Sequence, residues 1–205
     1  FLKDIEFDSI YHEHFSYFSL LSLKKILNHY DLEVFDVEEL EIHGGSLRVY
    51  VKHMYNSTHE ITNAVSALEN KEKSFGVSSI QTYDNFKNQV LDLKLKIWNF
   101  LSSCKYDNKK VIAYGAPAKG NTLLNFCGIG KELIDYTVDI SPHKQDLFLP
   151  GTHIPIHHPD KLLETKPDFL LILPWNLKDE IINDTNFIRE WGGKFVTFIP
   201  EVSIF

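Results

Sequence analysis

From Lys110 to the end of the chain, short apolar runs alternate with segments of helical period, a rhythm that leaves few folds open. The runs Lys110-Val111-Ile112-Ala113-Tyr114, Tyr136-Thr137-Val138-Asp139, His153-Ile154-Pro155-Ile156, Phe169-Leu170-Leu171-Ile172-Leu173 and Lys194-Phe195-Val196-Thr197-Phe198-Ile199 read as strands. Between them a helix runs through Leu123, Leu124 and Phe126, and Pro159 opens another at its favoured first position. A further helix is expected from behind Trp175 to about Trp191. Strands alternating with helices imply a parallel sheet with right-handed crossovers. The expected fold class is therefore α/β, with a Rossmann-like domain over residues 106–205.

The front of the chain follows a different grammar. Ser19 precedes Leu20, Leu23, Ile26, Leu27 and Tyr30, a helical stripe, and Glu33 to Leu40 is a strand candidate. His43-Gly44-Gly45-Ser46 marks a turn, and Leu47 to Val51 is the returning strand. Residues 1–53 thus form a helix and hairpin too small to fold alone. Residues 54–105 read as helical, with Ser57 and Glu60 as a capping box for a helix to about Lys73. After a break at Gly76 to Ser79, Tyr83, Phe86, Val90, Leu93, Ile97 and Leu101 describe one long amphipathic helix.

Composition narrows the function classes. A net charge of -7 argues against a nucleic-acid partner, which needs clustered Lys and Arg. No apolar stretch approaches the roughly 18–20 residues of a membrane span, and no signal peptide is visible. Cys104 and Cys127 lie far apart without metal-ligand spacing, so neither zinc nor a disulfide framework is expected, and the expected setting is reduced and cytoplasmic. The chain opens on Phe1 and its only methionine is Met54, so it is expected to be part of something longer.

Three places carry chemistry. Tyr11-His12-Glu13-His14 gathers a phenol, two imidazoles and a carboxylate, groups able to move a proton near neutral pH, orient a base or donate to an oxyanion. His12 and His14 lack the spacing of a helical metal pair, and no metal is expected. Gly115-Ala116-Pro117-Ala118-Lys119-Gly120 joins a strand to a helix, where backbone N–H groups and Lys119 favour an anion. Asp139, 24 residues after Gly115, stands near where an acid meets a ribose in a dinucleotide fold, but Pro117 replaces the second glycine of such a loop. The loop then either binds another phosphorylated group or is simply a tight turn. Finally, Trp175 and Asn176 follow an apolar strand, where open sheets place their ligands. They suit a nucleobase or sugar ring, with packing of the indole on the sheet edge as the equal alternative.

Taken in order, Phe7-Asp8-Ser9-Ile10-Tyr11-His12-Glu13-His14-Phe15-Ser16-Tyr17-Phe18, His43-Gly44-Gly45-Ser46-Leu47-Arg48, Gly115 to Thr122 and Leu173-Pro174-Trp175-Asn176-Leu177 resemble the sugar C-methyltransferases that act on nucleotide-linked 4-keto-deoxysugars. The resemblance implies an N-terminal zinc-binding module, a central S-adenosylmethionine domain and a C-terminal Rossmann-like domain. This chain resembles the end of the central domain followed by the C-terminal one. The zinc-binding cysteines and the cofactor loop would precede Phe1, so no cofactor is expected on this piece and it is expected to be inactive alone.

The resemblance also implies roles. His14 would remove the proton beside the keto group, and the resulting enolate carbon would attack the sulfonium methyl. Glu13 would orient the base or hold the sugar, and Tyr11 would hydrogen-bond the substrate or its enolate. The nucleotide sugar would meet Gly115, Lys119, Asn121, Asp139, Trp175 and Asn176. A homodimer is reasonable if the truncated sheet leaves an open edge. Two other readings stay open: a non-catalytic Rossmann-like module binding a nucleotide or nucleotide sugar, and an NAD-dependent oxidoreductase, which the missing glycine disfavours.

Overall fold

The structure, a computed structural model, describes residues 1–40 and 42–205 and, at His43, the backbone alone. The chain divides into two compact units, residues 14–87 and a second one built from residues 1–13 and 88–205.

In the first unit α1 (Leu20–His29) begins where Ser19 can cap it: the Ser19 hydroxyl accepts from the Ser22 amide at 3.1 Å, and the Ser22 hydroxyl accepts from the Ser19 amide at 3.0 Å. The remaining donors of that turn find a carboxylate, since Leu20 and Leu21 donate to the two oxygens of Glu72 at 2.6 and 2.8 Å. Strands β1 (Leu32–Leu40) and β2 (Ser46–His53) pair antiparallel, with a shift in register between Val34 and Asp36. Helix α2 (Asn63–Phe75) covers them, and Leu20, Val34, Val37, Val65 and Leu68 form the common core. The capping box expected at Ser57 is absent. Residues 54–62 run without helix, because Thr62 is tied to β1 through its amide on the Phe35 carbonyl at 2.9 Å and its hydroxyl on Asp36. The helix can start only after that tether.

The second unit holds the expected α/β sheet. Strands β3 (Val111–Tyr114), β4 (Thr137–Val138), β5 (Ile156–His157), β6 (Phe169–Ile172), β7 (Lys194–Thr197) and β8 (Ser203–Ile204) lie in the order β5-β4-β3-β6-β7-β8. The first five are parallel; β8 runs antiparallel to β7, a two-residue strand that the sequence did not announce. The order reverses between β3 and β6, and such a switch point opens a crevice at the carboxyl ends of the strands. Helix α3 (Ile80–Tyr106) presents Val90, Leu93, Ile97, Leu101 and Cys104 as a buried stripe, and Phe100 meets the rings of Phe169 and Phe198 edge-on. The stripe fades towards the helix start, where Tyr83 is exposed and donates to the Val77 carbonyl instead.

Helix α4 (Ala118–Cys127) follows β3, and its Cys127 carbonyl accepts from Trp98 of α3 at 2.7 Å. Pro159 stands two residues ahead of α5 (Lys161–Thr165), whose cap position is Asp160. The segment behind Trp175 is likewise broken, into a 3-10 turn (Trp175–Leu177), α6 (Lys178–Asp184) and a second 3-10 stretch (Asn186–Trp191). Ile112, Tyr114, Val138, Leu170, Ile172, Ile181, Ile188 and Phe195 make the core between these elements.

Candidate functional site

Two glycines shape the β3–α4 crossover. Gly115 has φ +89°, and a Cβ there would lie 2.7 Å from Pro174 Cδ, so the turn and the close approach of the β6 loop both require glycine. Gly120 lets α4 lie against β6, since a Cβ there would reach Leu173 Cβ at 2.7 Å. Pro117 occupies the cap position of α4 and offers no amide.

Asp139, at the end of β4, fastens this loop. Its Oδ2 accepts from the Ala116 amide at 2.7 Å and from Lys144 Nζ at 3.2 Å, and its Oδ1 accepts from the Ser141 amide at 2.8 Å. The Gln145 side chain donates to its carbonyl at 2.9 Å. One carboxylate oxygen thus ties the Ala116 amide of the loop, and the other holds the turn at Ser141. Pro117 removes one amide donor from the turn where a second glycine would stand in a dinucleotide loop. Asn121 lies in the first turn of α4, where its Oδ1 and its carbonyl accept from Asn125 Nδ2 at 3.3 and 2.9 Å.

The second feature gathers at Trp175. Its indole Nε1–H donates to Asp8 Oδ2 at 2.7 Å, and Lys119 Nζ stands 4.7 Å from the centre of its ring. Asn176, beside it, is exposed. Asp8 lies in a 3-10 turn (Phe7–Ser9) that is buried throughout, and Phe7 packs on Phe126 of α4 with ring centres 5.0 Å apart. Asp8 is fully buried, and its Oδ1 accepts no hydrogen bond among the described residues. Burial raises its pKa, against the opposing pull of Trp175 and Lys119. Glu6 is also buried and raised, again mainly by desolvation.

Residues 1–13 therefore belong with the sheet of the second unit, and Lys119, Trp175 and Gly115 come together at the carboxyl ends of β3 and β6. Sequence reasoning missed Asp8 and Glu6 as members of this cluster. Their only signal was acidic residues flanking the apolar Phe7, a pattern that solvated surface turns share. The Tyr11 to His14 tetrapeptide straddles the division of the chain, with Tyr11, His12 and Glu13 in the second unit and His14 in the first. Tyr11 is half-buried, with its ring centre 6.3 Å from that of His12, while His12, Glu13 and His14 are exposed. The ring of His14 meets Tyr17 edge-on at 6.2 Å.

Residues 41–200 match the family model of the C-methyltransferase C-terminal domain. The chain belongs to the C-methyltransferase family. It is 38% identical over 200 residues to the "C-methyltransferase NovU" of Streptomyces niveus, a match covering 98% of this chain and 47% of that protein. The chain therefore spans about half the length of the curated relative it matches. A C-methyltransferase joins a methyl group to carbon. Among the described residues no helix is long and apolar enough to cross a membrane.

Proposed function

We propose that this chain serves an S-adenosylmethionine-dependent C-methyltransferase acting on a nucleotide-linked keto-deoxysugar, supplying the proton-abstracting motif and part of the substrate cleft. The observation that carries this reading is the family match over residues 41–200, in a chain that also bears the Tyr11-His12-Glu13-His14 motif. A carbon beside a keto group is acidic because its anion is delocalised as an enolate. His14 is the base for that proton, Glu13 orients the base or holds the sugar, and Tyr11 donates to the enolate oxygen. S-adenosylmethionine supplies an electrophilic methyl group when bound elsewhere in the enzyme.

On the sheet side, Gly115, Lys119, Asn121, Asp139, Trp175 and Asn176 offer the nucleotide sugar a cation, an indole, two amides and a carboxylate at the switch point, and Asp139 also bonds the Ala116 amide of the first loop. Taken alone, the unit is a non-catalytic nucleotide-sugar binding module. The protein is proposed to work in the cytoplasm, as a homodimer.

His14→Ala in the full-length protein should lower methyl transfer by roughly 10²- to 10⁴-fold, the usual contribution of a general base, with affinity for S-adenosylmethionine retained. Near-normal turnover would sink the assignment. Calorimetry with a nucleoside diphosphate, a nucleotide sugar and NAD tests the binding half. Tight binding of NAD, with none of the nucleotide sugar, would overturn it.

A further inference from the structure

A buried carboxyl with one unpartnered oxygen is costly, and a fold has cheaper ways to fill the same space. Asp8 is such a group: fully buried, with one oxygen on Trp175 at 2.7 Å and the other accepting no hydrogen bond among the described residues. It lies three residues ahead of Tyr11, in a turn whose neighbour Phe7 is seated on α4. Downstream, Tyr11 is half-buried and Glu13 exposed, whereas Phe7, Asp8 and Ser9 are buried. The deepest burial in this stretch is therefore upstream of the motif. We propose that Asp8 is a positioning residue: its carboxyl, hydrogen-bonded to Trp175 beside Lys119, latches residues 1–13 onto the carboxyl ends of β3 and β6 and so places Tyr11 and Glu13.

The latch is an electrostatic as well as a geometric device. The groups that face Asp8 are Glu6 from its own segment, Lys119 from the first turn of α4, and the Trp175 indole from the β6 loop. Lys119 stands over the same ring that donates to Asp8, so ring, cation and carboxyl fix one another. Trp175 thereby has a role besides any contact with substrate. The positioning half of the proposal rests on the methyltransferase reading; the latch itself does not.

Hydrogen exchange of this chain tests the latch. The amides of Glu6, Ser9 and Ile10 bond to the carbonyls of Phe1, Glu6 and Phe7. In Asp8→Ala and in Trp175→Phe they should exchange roughly ten- to hundredfold faster, the scale of one hydrogen bond to a charged group, while amides of β3, β6 and β7 keep their protection. Asp8→Asn, whose amide oxygen still accepts from Trp175, should restore most of the protection. Unchanged exchange in both disrupting variants overturns the latch. Turnover of the full-length protein tests positioning: Asp8→Ala should lower kcat about tenfold or more with KM for the methyl donor unchanged, and Asp8→Asn should recover it. Faster exchange with an unaltered kcat overturns the positioning role. If His14→Ala also keeps full turnover, the methyltransferase reading fails separately, and the exchange data still decide the latch.

Discussion

Replacing Gly120 by alanine probes the closest approach in the crossover. A Cβ built there lies 2.7 Å from Leu173 Cβ, 3.2 Å from Leu173 Cδ1 and 3.2 Å from Pro117 Cγ. Carbon atoms settle about 3.5–4.0 Å apart, so α4 and β6 must separate by roughly 1 Å. The side chain of Leu173 cannot swing away from the clash, because the nearest atom is its own Cβ, fixed by the backbone of a buried residue. Overpacking of this kind costs about 1–3 kcal/mol, and the better helix propensity of alanine returns at most about 1 kcal/mol. The net loss is about 1–2 kcal/mol, a fall in Tm of about 3–8 °C for a domain of this size. Trp98, Trp175 and Trp191, the three tryptophans of the chain, all lie in the second unit, so their fluorescence in a urea titration follows that unit selectively. Ala118→Gly, at an exposed position in the same turn, gives the propensity term alone. A Gly120→Ala protein as stable as the wild type, or more so, would refute the steric argument.

Other outcomes follow from the same geometry. Asp139→Ala strips acceptors from the amides of Ala116 and Ser141, and should cost the second unit about 2–4 kcal/mol in the same urea titration. Because the pKa of Asp8 is raised on folding, its contribution to stability is complete below the unfolded value of about 3.9 and is lost as pH rises through the folded value. Asp8→Asn should flatten that part of the stability–pH curve, and an unchanged slope would contradict the shift. Burial pushes the Cys127 thiol up to about 11 and raises Cys104 as well. Neither should react with a disulfide reagent at pH 8 until denaturant opens the fold.

The class of the second unit was legible in the sequence because apolar runs and helical stripes are local patterns, written every few residues. The Gly115 turn was legible for the same reason, whereas the close approach that Gly120 permits to Leu173 became visible only in the fold. Helix boundaries were less so. The start of α2 is decided by the tether of Thr62 to Phe35 and Asp36, across a gap in sequence that local capping signals do not register. The β8 strand pairs antiparallel with β7, outside the alternation of strand and helix that announced the others.

The sequence by itself determined an α/β sheet and a glycine at the turn that ends its first strand, and it placed Tyr11-His12-Glu13-His14 near the front of the chain. Only tertiary structure decided that residues 1–13 pack with a sheet whose first strand begins about a hundred residues later, and that Trp175 donates to Asp8, 167 positions away. It also decided that the Asp139 carboxylate accepts from the Ala116 amide, 23 positions away. The physical reason is range. Periodicity and turn chemistry act between neighbours, whereas burial of a carboxyl and the choice of its partner depend on which surfaces the folded chain brings together.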